Sequence, residues 1–255
     1  MKQSKSQQPN KNQSTQTQSA RKPAAAAAQT RRPYELFDGT VLKLIAMVSM
    51  LVDHVGAVFF PEAVWMRAIG RLAMPIFSFC IAEGYIHTRD RKKYLLRMGI
   101  FALMSEVPFD LAFDGVIGLG HQNIMVTFFL AILALMLFDM IRGEKPGIAQ
   151  NLLAGMTVLM MAVAALLLNA DYTLFGVLTV FLFYVLRSKH PLLRAGVGVG
   201  FLVALRSVGY NLAAGLSFIP IAMYNGKKGK GLKWLFYAFY PGHLLALYAL
   251  SLLLK

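Results

Sequence analysis

The sequence predicts an all-α fold, a polytopic integral membrane bundle of about nine transmembrane helices. Three observations predict it. Hydrophobic residues make up 57% of the 255 residues, against about 45–50% in soluble domains. Charged residues make up 15%, against about 25%. Apolar runs long enough to cross a bilayer recur along the chain, and basic connections between them alternate with nearly bare ones.

Residues 1–33 are rich in Gln, Ser, Lys and Ala and contain no acid, while Lys2, Lys5, Lys11, Arg21, Lys22, Arg31 and Arg32 give seven positive charges. Such a segment buries too little apolar surface to offset its ordering entropy. A disordered basic cytoplasmic tail is expected, solvated in preference to tethered on anionic lipid. The tail holds no apolar core of a cleavable signal peptide. Residues 34–255 are expected to form the transmembrane domain. The net charge of +14 sits in the tail and in alternate connections, which points to a lipid bilayer and no nucleic acid. The single cysteine, Cys80, allows no intrachain disulfide and no Cys-based metal site.

The apolar segments fall at residues 41–60, 64–84, 95–113, 122–141, 151–169, 173–187, 191–207, 211–224 and 232–254. One set of connections carries Arg89–Arg97, then Arg142 and Lys145, then Arg187, Lys189 and Arg194, then Lys227–Lys233. The other set, Pro61-Glu62, 114–122, 169–171 and 206–211, is nearly bare. Basic residues are retained on the cytoplasmic side, so the N-terminus is expected inside and the C-terminus outside. Gly196–Gly200, GVGVG, has small-xxx-small spacing and reads as close helix packing. No strand precedes it, so it is no phosphate loop.

The first segment holds LKLIAMVSMLVDHVG at 42–56. Ionisable groups are costly in hydrocarbon, so Asp53-His54 marks a functional site. Lys43 and His54 lie eleven steps apart, about three helical turns, which puts both on one face roughly 16 Å apart along the axis. Asp53 points about 100° away from His54 and needs its own partner, Arg67 or Arg71, from the next segment. That segment also holds Glu83, and Pro75 is expected to kink it. The third segment carries Ser105-Glu106 and Asp110, four apart on one face. Pairing of these acids with Arg67 and Arg71, holding three helices in register, weighs more than direct ligand contact. An imidazole titrating near neutral pH suits His54 to general-base chemistry. His243, after a Pro-Gly break in the last segment, is a second candidate base.

The blocks LKLIAMVSMLVDHVG, RAIGRLAMPIFSFCIAEGYIHTR at 67–89, KYLLRMGIFALMSEVPFDLAF at 93–113, ADYTLFGVL at 170–178, YNGKKG at 224–229 and FYAFYPGHL at 236–244 together resemble the TraX family. That family is named for the inner-membrane protein of F-type conjugation systems that acetylates the pilin N-terminus. The resemblance covers Asp38 to Leu250. It departs mildly at Asn123–Thr127, NIMVT, where the family pattern has Asn-Val and then Phe-Thr. The spacing of Lys43 and His54 is also similar to that of the wider transmembrane acyltransferase group, including the acyltransferase-3 proteins.

The resemblance implies an acetyltransferase of the bacterial cytoplasmic membrane that uses acetyl-CoA as co-substrate. The implied catalytic set is His54, as base or acetyl carrier, with Asp53 and with Arg71 at the oxyanion. Lys43, Arg89, Lys92 and Lys93 would meet the CoA phosphates. Arg67, Glu83, Glu106, Asp110, Asn123 and His243 are expected as structural polar residues within the membrane. No metal site is expected. The implied acceptor is a protein such as pilin or a cell-envelope glycan. The alternative is a transporter or pilus-assembly protein without chemistry.

Overall fold

A computed structural model describes residues 33–254, apart from residue 119, residues 207–208 and the side chains of 205–211. Apart from its last residue, the expected tail lies outside the described residues. Among the described residues ten α-helices follow one another: α1 Gly39–Phe59, α2 Val64–Gly70, α3 Ala73–His87, α4 Arg91–Phe113, α5 Ile124–Arg142, α6 Ile148–Leu167, α7 Thr173–Val185, α8 Pro191–Arg206, α9 Phe218–Ala222 and α10 Lys233–Leu253. Two 3₁₀ segments, Leu186–Ser188 and Gly209–Ser217, join them. Among the described residues there is no strand, only the isolated bridges Phe37–Tyr224 and Gln122–Ala170. Over the described residues the apolar segments marked on the sequence fall on helix, except that 64–84 is broken at Arg71-Leu72 and 211–224 is mostly 3₁₀, with α-helix only at Phe218–Ala222. Among the described residues five stretches are long and apolar enough to cross a membrane: α1, α2 with α3, α5, α6 and α10.

Local chemistry sets the helix starts. Asp38 Oδ1 accepts the amides of Thr40 at 2.8 Å and Val41 at 2.9 Å, two of the four donors a helix start leaves unpaired. Asp90 caps α4 by accepting the Lys93 amide at 2.9 Å. That bond holds the Asp90 carboxyl below the usual carboxylate range. Asn123 caps α5 through the Met125 amide at 2.9 Å, and Gly143, at φ +63°, ends it.

The expected kink at Pro75 is displaced. The chain breaks earlier, at Arg71-Leu72, and α3 restarts at Ala73. Pro75 has no amide to give the Arg71 carbonyl, so the ladder fails one turn before it, and Pro75 sits harmlessly in the first turn of α3. Pro241-Gly242, expected to break the last segment, lies inside a continuous α10.

The two bridges define two ends of the bundle. Phe37–Tyr224 ties the start of α1 to the end of α9, and Gln122–Ala170 ties the start of α5 to the end of α6. The first end carries the lysines of 227–233, and they are clamped there. The Gly39 amide donates to Lys227 O at 2.8 Å, and Thr40 Oγ1 to Lys230 O at 2.9 Å. This end is called the basic face below. The core runs between the two ends along α5, whose Ile132, Ala134 and Leu135 are fully buried. Around it pack α3, α4, α6 and α7, with α10 against α1 and α4. On α6, Ile148, Leu152, Met156, Leu159, Val163 and Leu167 are exposed, an apolar stripe suited to lipid.

Two polar networks pin the frame near the basic face. Asp139 of α5 accepts hydroxyls of Tyr85 (3.0 Å) and Tyr184 (2.5 Å) and pairs with Arg91 at 2.7 Å. Glu83 of α3 pairs with Arg194 of α8 at 2.6 Å, both side chains largely buried. Arg194 also donates from Nε to the Phe183 carbonyl at 2.7 Å. The close packing expected of GVGVG falls on its middle glycine. A Cβ on Gly198 would lie 2.2 Å from the Phe183 ring, whereas one on Gly200 would meet nothing.

Replacing Gly198 by Ala therefore forces the Phe183 ring away and should cost about 1–3 kcal/mol in denaturant unfolding in detergent. Replacing Arg194 by Leu leaves Glu83 a buried charge without its cation and should cost about 3–5 kcal/mol. Adding Glu83→Leu should return most of that loss. A double variant as unstable as Arg194→Leu alone would mean that the charge pairing is not what the site needs.

Candidate functional site

The second half of α1 carries Asp53 and His54 as neighbours, and the helix sends them to different partners. Asp53 faces α2. Arg67 Nη1 lies 3.0 Å from Asp53 Oδ2, and the same nitrogen donates to the Asp53 carbonyl at 3.0 Å. Arg71 Nη2 approaches Asp53 Oδ1 at 3.7 Å, and its Nη1 donates to the Tyr172 hydroxyl at 3.1 Å. Gly70 permits this contact, because a Cβ there would lie 2.2 Å from the Asp53 side chain.

His54 faces α10. Its Nδ1 lies 2.7 Å from His243 Nε2, with the rings 9° from parallel. His243 Nδ1 in turn lies 2.7 Å from the Phe239 carbonyl oxygen. Phe113 meets the His54 ring edge-on with centroids 5.1 Å apart, and Phe239 stacks on His243 at 4.6 Å. The two histidines, weighed separately in the sequence, form one unit.

Asp53, His54, Arg67, Arg71 and Phe113 line a cavity of about 260 Å³ that also takes in His121, Asp171 and Tyr172, while His243 stands behind His54 and outside the lining. A second cavity of about 240 Å³ opens toward the basic face, where Lys43, Arg97, Lys228 and Lys233 line it. Both cavities share Met50, Phe77, Ile124, Phe128 and Tyr240 as wall. They lie back to back, separated by a mostly apolar waist. Lys43 and His54 stand on opposite sides of it, one per cavity, on one helix face but roughly 16 Å apart along the axis. The Lys43 ammonium sits 5.0 Å from the Phe236 ring centroid. Arg97 Nε is buried without a hydrogen-bond partner, and none of the four cations makes a salt bridge with a described residue. Glu83 also lines this cavity, but its charge is taken by Arg194.

Several expected placements are corrected. Arg89, Lys92 and Lys93 do not line either cavity. Arg89 and Lys92 are exposed, and Lys93 pairs with Asp90 at 3.4 Å, because the α4 start turns these side chains outward while Arg97, further along, turns in. Glu106 and Asp110 do not pair with Arg67 and Arg71, whose carboxylate is Asp53. Glu106 instead accepts a short hydrogen bond from the Asn123 side-chain amide, which also donates to the Ala102 carbonyl at 2.9 Å. Asp110 accepts the Gly118 amide at 2.9 Å. Asn123 thus caps α5 and ties it to α4.

Sequence reasoning missed the 169–173 turn. Asn169, Tyr172 and Thr173 have φ of 50°, 60° and 45°, a region side chains with a Cβ seldom occupy. The turn is held by Gln122, whose carbonyl accepts the Asp171 amide at 2.9 Å, and by a short bond from the Thr127 hydroxyl to the Asp171 carbonyl. It brings Asp171 and Tyr172 to the cavity wall. Asn169 is a residue type that favours such a backbone, but neither Tyr172 nor Thr173 signals it. Among the described residues no group of His, Cys, Asp and Glu is arranged to hold a metal ion.

Comparison with known proteins bears on this arrangement. The chain is 28% identical over 248 residues to the probable fimbrial assembly protein FimC, serogroup H1, of Dichelobacter nodosus, covering 86% of this chain and 98% of that protein. It is 36% identical over 73 residues to the uncharacterized protein RP591 of Rickettsia prowazekii, covering 29% of this chain and 27% of that protein. No solved structure matches. The model of the TraX protein family matches residues 38–251, which span both cavities, the histidine pair and the Asp53 cluster. By that match the chain belongs to the TraX family.

Proposed function

We propose that this multi-pass membrane protein is an acetyltransferase, taking acetyl-CoA from the cytoplasm and passing the acetyl group to an acceptor at the outer face. The observation that carries the proposal is the pair of cavities meeting at one waist, with four cations on one side and His54, backed by His243, on the other. In this reading all nine apolar segments cross the bilayer. The basic face is cytoplasmic, as the retention of Lys and Arg on that side favours, and the C-terminus is external.

Lys43, Arg97, Lys228 and Lys233 then meet the phosphates of CoA, for which a guanidinium and ammonium groups without a carboxylate partner are suited. Arg89, Lys92 and Lys93 add a positive field at the mouth without touching the ligand. The pantetheine arm threads the waist, which excludes water around it, and the thioester reaches His54. His54 takes the proton of an acceptor amine or hydroxyl as that group attacks the thioester carbonyl. Arg71 stabilises the developing oxyanion. On collapse the C–S bond breaks, and the thiolate recovers the proton as CoA thiol. Asp53 acts through Arg67 and Arg71, holding them in the cavity. A transient acetyl-imidazole at His54 is the two-step version of the same transfer.

The acceptor is a pilin N-terminus or an envelope glycan. The fimbrial assembly name of the Dichelobacter relative favours the first. It equally favours a second reading, assembly or transport without chemistry, which the paired cavities also allow.

Membrane vesicles incubated with acetyl-labelled CoA decide between them. Inside-out vesicles should transfer label to a protein or glycan fraction, and sealed right-side-out vesicles should not, because CoA does not cross bilayers. His54→Ala should lower transfer by at least about 10²-fold with unchanged expression and thermal unfolding. Absence of transfer by folded wild-type protein supplied with pilin and envelope acceptors would overturn the acetyltransferase reading in favour of assembly or transport. Lys43→Gln and Arg97→Gln should each raise KM for acetyl-CoA roughly tenfold and leave kcat within a few-fold, as loss of uniform binding does.

A further inference from the structure

The hydrogen-bond chain through the two histidines has one consistent direction. The Phe239 carbonyl oxygen can only accept, so His243 Nδ1, 2.7 Å away, must carry a proton. A neutral imidazole protonated at Nδ1 has its lone pair on Nε2. That nitrogen faces His54 Nδ1 at 2.7 Å, so His54 Nδ1 must be the donor. His54 is thereby left with its lone pair on Nε2, for which no described residue provides a hydrogen bond, and the ring lines the 260 Å³ cavity. The geometry keeps the rings in this relation: Phe239 stacks on His243, and Phe113 and Tyr240 meet His54 on its edges.

We infer that His243 is a positioning residue that fixes His54 as the Nδ1-protonated tautomer and so aims Nε2 at the acceptor as the proton-accepting atom. This rests on the proposed transfer reaction and assigns its proton path. The isolated imidazole prefers a proton on Nε2, so the tautomer is imposed by the partner, as a group bonded to the other ring nitrogen generally does. When the acceptor's proton arrives at His54 Nε2, that ring carries a positive charge. Its Nδ1 proton can move to His243 Nε2, so the charge is shared by two rings, with the Phe239 carbonyl dipole against the second. Loss of the proton to the CoA thiolate reverses the sequence. No proton is gained or lost by the pair over a turnover, and no additional reactant is needed.

The test has a readout that does not depend on activity. Full-length protein with ¹⁵N-labelled histidine in lipid nanodiscs gives the ring nitrogen shifts. Variants lacking each histidine in turn assign them. His54 and His243 should both show a protonated Nδ1 and an unprotonated Nε2. In His243→Gln the amide oxygen can accept from His54 Nδ1, and the tautomer should persist. In His243→Leu it should revert to Nε2-protonated. Transfer kinetics should follow. kcat should fall within about tenfold for His243→Gln and by about 10²–10³-fold for His243→Leu, with KM for acetyl-CoA changed less than twofold in both. A wild-type His54 protonated on Nε2, a tautomer indifferent to His243→Leu, or equal kcat losses in the two variants would overturn the inference. Correct tautomers in a protein that transfers no acetyl group would refute the enzymatic reading and leave the hydrogen-bond polarity standing.

Discussion

Charge buried among apolar helices must be paired where it sits, and the Asp53 carboxylate does this for two arginines at once. Much of the bundle's far half follows from that constraint. Arg67 and Arg71 are one turn apart, and both can reach one carboxylate only if α2 lies close against α1. Gly70 allows that approach. The chain then breaks at Arg71 and restarts as α3 in a direction that packs on α7. Arg71 extends the pairing to Tyr172, so the strained turn before α7 is tied to the same centre. With Asp53 turned to α2, His54 one residue on is turned to α10, where His243 meets it. The acid, the arginines and the histidine pair are separate contacts set by a single helix register.

The contrast between the two ends of the bundle gives the cavities their characters. Near the basic face, structural charges are matched: Glu83 with Arg194, Asp139 with Arg91 and two tyrosine hydroxyls. These networks join α3, α4, α5, α7 and α8. Lys43, Arg97, Lys228 and Lys233 stand outside that matching, around a cavity whose acid is already engaged. An excess of cation at a concave, partly desolvated site favours an anionic ligand.

How much of this was legible in the sequence varies with the physics involved. Hydropathy placed the helical segments well, because lipid and protein interior both demand apolar side chains over whole turns. The helical period alone set Lys43 and His54 on one stripe, and each lines its own cavity. Counting angle around the same helix also directed Asp53 toward Arg67 or Arg71. It failed for Glu106 and Asp110, since opposite charges on adjacent segments say nothing about depth or rotation of the third helix. It failed again for Arg89, Lys92 and Lys93, where a run of positive charge hid the one residue, Arg97, that turns inward. The His54–His243 contact joins residues 189 positions apart and no local pattern announces it. The turn at 169–173 depends on positive φ angles at Tyr172 and Thr173, which those residue types disfavour.

The waist has an electrical meaning. Where water fills the cavities on either side, most of a membrane voltage would fall across Met50, Phe77, Ile124, Phe128 and Tyr240, and each net charge moved across it would gain or lose about 2.3 kcal/mol per 100 mV. Under the proposed function, what crosses there is uncharged both ways. An acetyl group goes outward as thioester, and a hydrogen atom comes inward on the CoA thiol, while the phosphates stay with the lysines. A cell could then acetylate its exterior at a rate indifferent to its membrane potential, without spending its proton gradient.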